Sequence, residues 1–142
     1  MTAVLQPGGA GTGAGRARHH PFWAVHAVLD PEGRSGDFIY TAGLAAEDVP
    51  ELHMWSRPPG QDPAEWHFTL LETGLLINRL ARRLVTGDLQ VGDTWEEATA
   101  DGRVVVTFEV GEALPSADLM GYQAGDVPML PITWRVTEQR QG

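Results

Sequence analysis

Residues 40–52 read YTAGLAAEDVPEL, and the interpretation of this stretch decides the fold. Two apolar, β-type runs meet there across a turn that holds Gly43, Asp48 and Pro50, residue types that end strands and start turns. Upstream, residues 22–29 are rich in β-formers, and the loop DPEGRSG over 30–36 turns them toward residues 37–44, which predicts a hairpin. Period-two alternation places Trp23, Val25, Ala27 and Leu29 on the core face of the first strand. It places Phe38, Tyr40, Ala42 and Leu44 on that of the second, with His26 and Thr41 pointing away. Beyond the turn, residues 51–56 make a third strand in which Leu52 and Met54 oppose Glu51, His53 and Trp55.

Further downstream, Asp62, Pro63 and Glu65 carry the cap, first-turn proline and back-reaching carboxylate of a helix start, so a helix is predicted over 63–86, stopping at Gly87. Trp66, Leu70, Ile77, Leu80, Ala81 and Leu84 share one stripe at the helical period, and Thr73 and Gly74 permit close approach to a sheet. Phe68, Leu71 and Leu75 form a second apolar strip on the opposite side. Its cover is read as either the loop over 111–129, with one helical turn near 116–121, or a second copy of the helix in a homodimer. Asp101-Gly102 predicts a two-residue hairpin between strands at 95–100 and 103–110, and residues 130–137 give a last strand. The whole is an α+β domain over 21–138: a mainly antiparallel sheet of five or six strands with one long helix across a face. The Gly-rich residues 1–20 read as a disordered tail and residues 139–142 as a frayed end.

The YTAGL and PEL elements, separated by a short polar turn, resemble the signature of a bacterial family known as domain of unknown function 4262. The resemblance extends over residues 20–136: an aromatic strand at 23–28, a helix ending at Gly87, a valine-rich strand at 104–109 and a closing Pro-aliphatic-Trp strand at 128–134. It implies a fold but no activity. Two places depart from the family pattern, Trp55-Ser56-Arg57-Pro58-Pro59 and Trp134-Arg135-Val136, and where they line a site the ligand differs from that of the relatives.

Composition narrows the function classes. With 142 residues and no repeat there is room for one core, and the absence of cysteine excludes disulfides, thiolate metal sites and a cysteine nucleophile. A net charge of -9 repels phosphate backbones and anionic lipid, so no nucleic-acid or membrane partner is expected; the Arg16-Ala17-Arg18-His19-His20 cluster reads as a solvated tail. The glycines at 9, 11, 13 and 15 miss the dinucleotide-loop spacing. No apolar run approaches a membrane span and no export signal opens the chain, which reads as cytoplasmic.

The polar side chains left on strand faces supply the candidate chemistry. Glu51 and His53, two apart on one strand face, are the candidate acid/base pair, the carboxylate orienting the imidazole. His26, Tyr40, Thr41, Trp55 and Arg135 are the candidate ligand-binding residues, Arg135 for an anionic group and the tryptophan as a pocket wall. The alternative for all of them is a half-solvated sheet face. No HExxH or comparable ligand set is present, so no metal is expected, and no cofactor is identified. Three functions stay open: a small-ligand-binding or accessory domain, an enzyme using His53 with Glu51, and a homo-oligomeric module built on the 63–86 helix.

Overall fold

A computed structural model describes residues 2–5, 23–29, 37–58, 60–62, 64–115 and 127–140. The elements in chain order are β1 (Thr2–Leu5), β2 (Ala24–Val28), β3 (Phe38–Ala42), a 3-10 turn (Leu44–Glu47), β4 (Glu51–Trp55), α1 (Leu70–Val85), β5 (Thr94–Ala98), β6 (Val104–Val110), β7 (Leu114–Pro115) and β8 (Pro128–Gln139). Among the described residues one sheet takes all eight strands in the order β1-β2-β3-β4-β8-β6-β5, with β7 also pairing β8. Every pairing is antiparallel except β4 with β8, where Glu51 to Met54 run alongside Met129 to Ile132. The α+β architecture with one helix across the sheet is therefore as the sequence predicts, and the six expected strands gain two short ones. One of these corrects the reading of residues 1–20: Thr2–Leu5 pairs with β2, while residues 1 and 6–20 lie outside the described residues, as does the helical turn expected at 116–121. The other end is also paired, because β8 reaches Gln139 opposite Val104 and the Arg140 N–H donates to the Arg103 carbonyl at 2.7 Å.

The helix face of the sheet carries Trp23, Val25, Ala27, Ile39, Leu52, Met54, Val104, Val106, Phe108, Leu130, Ile132 and Trp134, all buried in one cluster with Leu76, Ile77, Leu80, Ala81 and Leu84 of α1. Register inverts one expectation. Ala27 pairs Ile39 and Val25 pairs Thr41, so Ile39 and Thr41 share the helix face, while Phe38 and Tyr40 pair Val28 and His26 on the other. Partners across a ladder share a face, and a one-residue slip exchanges the two sets.

The helix starts at Leu70 instead of Pro63. Asp62 and Glu65 do make the expected reciprocal turn, with Ala64 N–H donating to Asp62 Oδ1 (2.9 Å) and Asp62 N–H to Glu65 Oε1 (3.2 Å). The chain then stays extended, the Phe68 N–H donates to the Ser56 carbonyl (3.1 Å), and a second capping box opens α1: Glu72 N–H to Thr69 Oγ1 (3.1 Å) and Thr69 N–H to Glu72 Oε1 (2.9 Å). The reason is aromatic packing. Trp66 and Phe68 both lie against Trp134, with ring centroids 5.8 and 4.9 Å away, and Phe68 also meets Phe108 at 5.9 Å. Residues two apart share a side of an extended chain and fall on nearly opposite sides of a helix, so helix over 66–68 would forfeit one of these contacts. The stop is as expected, with Gly87 at φ 83°. At Asp101-Gly102 only the glycine takes positive φ (73°), and Thr99 N–H donates to the Val104 carbonyl (2.9 Å), so the loop holds four residues in place of two.

Candidate functional site

The three regions that matter are the turn after β3, the outer face of β2–β4, and the space beside α1. At the turn, Gly43 (φ 123°) and Asp48 (φ 62°) reverse the chain around the 3-10 segment, whose first N–H groups point inward. The Glu51 carboxylate meets them. Oε1 accepts from Thr41 Oγ1 (2.8 Å) and Leu44 N–H (3.1 Å), and Oε2 from Gly43 N–H (3.1 Å) and Ala45 N–H (3.0 Å). Thr41 Oγ1 in turn accepts from Leu52 N–H at 2.9 Å, so Thr41, at 1% exposure, is a link in this network facing the helix side and not an outward ligand contact. The outward direction expected of Thr41 is thereby corrected.

On the outer face of β2–β4, His26, Tyr40, Phe38, His53 and Trp55 form an aromatic row. His26 stacks on Tyr40 (5.1 Å, 14°), and Phe38 lies 4.9 Å from both His53 and Trp55. The sequence-derived candidates His26, Tyr40, His53 and Trp55 do come together here, through the pairings His26–Tyr40 and Tyr40–His53. Glu51 and His53 are each 4% exposed, yet they do not pair: the hydrogen bonds of Glu51 go to Thr41 and the turn, and among the described residues neither ring nitrogen of His53 has a hydrogen-bond partner. Burial pushes the His53 imidazole down from 6.5 to about 4, because it removes the water that would solvate the positive charge. It is neutral at neutral pH. Arg135 is exposed on β8, opposite Thr107, and lies four residues along from Pro131, the β8 neighbour of His53. That separation is about 13 Å along the strand, so Arg135 is not part of the row.

The third region is a groove. The helix packs chiefly on β2, β3 and β4, leaving the β8–β6–β5 half of the same face to the Trp66–Phe68 segment. Between α1 and the β5–β6 hairpin this leaves a cavity of about 420 Å³ with Trp66, Phe68, Leu75, Leu76, Val106 and Phe108 as its apolar walls. Its polar groups are few. Arg79 pairs with Glu97 across the opening, Glu97 Oε2 also accepts from Trp95 Nε1 (2.9 Å), and Arg83 lies over the Trp95 ring at 5.7 Å. Burial alone would raise the Glu97 carboxyl, but the hydrogen bonds from Arg79 and Trp95 and the charges of Arg79 and Arg83 outweigh it and hold the group below its ordinary range. Sequence reasoning did not identify this place. Its one signal was the strip of Phe68, Leu71 and Leu75: Phe68 and Leu75 line the groove, and Leu71 and Leu75 are 64% and 63% exposed.

Among the described residues no group of three or more His, Asp or Glu side chains is placed to hold a metal ion, and no helix is long and apolar enough to cross a membrane. Comparison with known proteins returns no matching family model, no matching curated protein and no matching solved structure.

Proposed function

We propose that this chain is a cytoplasmic small-ligand-binding domain, and that its site is the groove between α1 and the β5–β6 hairpin. The observation that carries the proposal is an apolar concavity of about 420 Å³ walled by Trp66, Phe68 and Phe108, with one ion pair at its mouth. A cavity of this size, mostly apolar with a few fixed polar groups, is the usual form of a small-molecule site. Aromatic walls give a flat ligand broad contact at little cost in side-chain entropy, since the rings already brace one another: Trp66 lies edge-on to Phe68 at 4.9 Å, and Trp95 stacks on Phe108 at 5.2 Å. The YTAGL and PEL elements support placing the chain with the domain of unknown function 4262 family. In this reading they serve the fold, because Thr41, Gly43 and Leu44 all donate to the Glu51 carboxylate.

The test is titration of the neutral dye Nile red, read by its own emission and by quenching of tryptophan. Binding at one saturable site is expected, weakened about tenfold, or roughly 1.4 kcal/mol, by Leu75→Asp on the exposed lip. Absence of saturable binding, or equal binding by the variant, would reject the groove as the site.

A further inference from the structure

We infer that the natural ligand of this groove is an amphipathic carboxylic acid whose carboxylate docks on Arg79, an inference that rests on the groove being the site. Among the described residues the guanidinium is the one cation lining the apolar walls. Its Nη2 is committed to Glu97, but among the described residues Nε and Nη1 take no hydrogen-bond partner, so an edge of the planar group is unspent. A guanidinium has five N–H donors and accommodates carboxylates on more than one edge. The pairing with Glu97 does not use up this capacity; it holds the group in place. Glu97 is itself anchored by Trp95, and Trp95 by stacking on Phe108 in the groove wall, so the donor is positioned before any ligand arrives.

The opposite assignment, a cationic ligand on Glu97, is disfavoured by the same contacts. The Glu97 charge is already met by two N–H donors and by Arg83, so an added ammonium gains little there and is repelled by two guanidinium groups. Arg83 has its own counter-ion in Asp88 at 3.5 Å, which leaves Arg79 as the cation with a free edge on the groove. Glu72 also lines the cavity, seven residues before Arg79 on the helix, a distance of about 10 Å along its axis. One of its oxygens is held by the capping box. A ligand carboxylate is repelled from that end and drawn to the other, and the apolar body is then laid over Phe68, Leu76 and Phe108.

Displacement of Nile red by three molecules of one shape tests this: naphthoic acid, naphthylmethanol and naphthylmethylamine. The acid should displace the dye from the wild type at a concentration about tenfold lower than the alcohol or the amine. Arg79→Gln should abolish that advantage while the neutral dye still binds, which shows that the variant is folded and the groove intact. Glu97→Gln, which keeps an acceptor for Trp95, should leave the acid favoured. Equal displacement by acid and alcohol, preference for the amine, or an acid preference that survives Arg79→Gln would overturn the carboxylate assignment and leave the groove standing. Failure of the dye to bind the wild type would overturn both.

Discussion

Glu51 and His53 stand two residues apart on β4, equally buried, and the protein treats them in opposite ways. The carboxylate is given four donors, the Thr41 hydroxyl and three N–H groups of the turn around Gly43; the imidazole meets the ring of Phe38 and, among the described residues, no hydrogen-bond partner. A buried anion survives only when its lone pairs are met, whereas a buried imidazole has a cheaper escape, which is to remain neutral. The turn is thus a polar joint whose parts need one another, and the aromatic row is a packing surface that tolerates the buried imidazole of His53 as long as no proton reaches it. The contrast also explains why the two side chains make a poor acid/base pair. Glu51 has its oxygens occupied, and among the described residues no hydrogen bond orients His53.

The largest effect should come from the polar joint. Glu51→Ala removes an acceptor from three backbone N–H groups and the Thr41 hydroxyl, and should cost about 3–5 kcal/mol by urea denaturation; a loss under about 1 kcal/mol would mean the joint is not polar in any energetic sense. Next comes acid. With His53 at 6.5 unfolded and about 4 folded, the unfolded chain binds the proton first, so the stability contributed by neutral His53 is complete above about pH 6.5 and drains away as pH falls toward 4. The full span is about 3 kcal/mol, to be read as the difference between wild type and His53→Leu measured across that window. Parallel pH profiles for the two proteins would contradict the assignment.

Two smaller substitutions sharpen the contrast between a buried cap and an exposed one. Gly43→Ala forces a side chain into the φ 123° conformation that aims a donor at Glu51, and should cost about 1–3 kcal/mol in a thermal or chemical melt. An unchanged melt would show that the turn relaxes without loss. Thr69→Ala removes the solvent-exposed capping box of α1 and should cost only about 1 kcal/mol, because water replaces the lost acceptor there and has no access to the turn. A Thr69→Ala loss as large as that of Glu51→Ala would erase the distinction.

Much of the fold was legible in the sequence because its signals were local: alternation in the strands, Gly43 and Pro50 at the turn, Gly87 at the helix stop. The phase of β3 was not, because Phe38, Ile39 and Tyr40 are all large and apolar, and in a strand with one face against the helix and the other carrying packed rings no polar position marks the outside. The helix start was displaced because two capping boxes lie seven residues apart, and only the pull of Trp134 and Phe108 on Trp66 and Phe68 chooses between them. The groove inherits that dependence. It exists because the helix begins late, which no single stretch of sequence states, and its Arg79–Glu97 mouth joins residues on different elements.

The place of β8 in the sheet has a consequence for the order of events as the chain folds. It lies between β4 and β6, so the β5–β6 hairpin is joined to the rest of the sheet only through residues that are synthesised after both. The partners of Leu52 and Met54 are Leu130 and Ile132, close to eighty residues further on. Pairings of such long sequence separation form late and slowly. Until residues 128–139 emerge, both halves carry an unpaired strand flank and an uncovered apolar face, on β4 and on β6, open to mispairing with other chains. The nascent protein is therefore most exposed to aggregation just before its final strand is made, and chain termination before Pro128 should yield insoluble fragments, not a smaller folded domain.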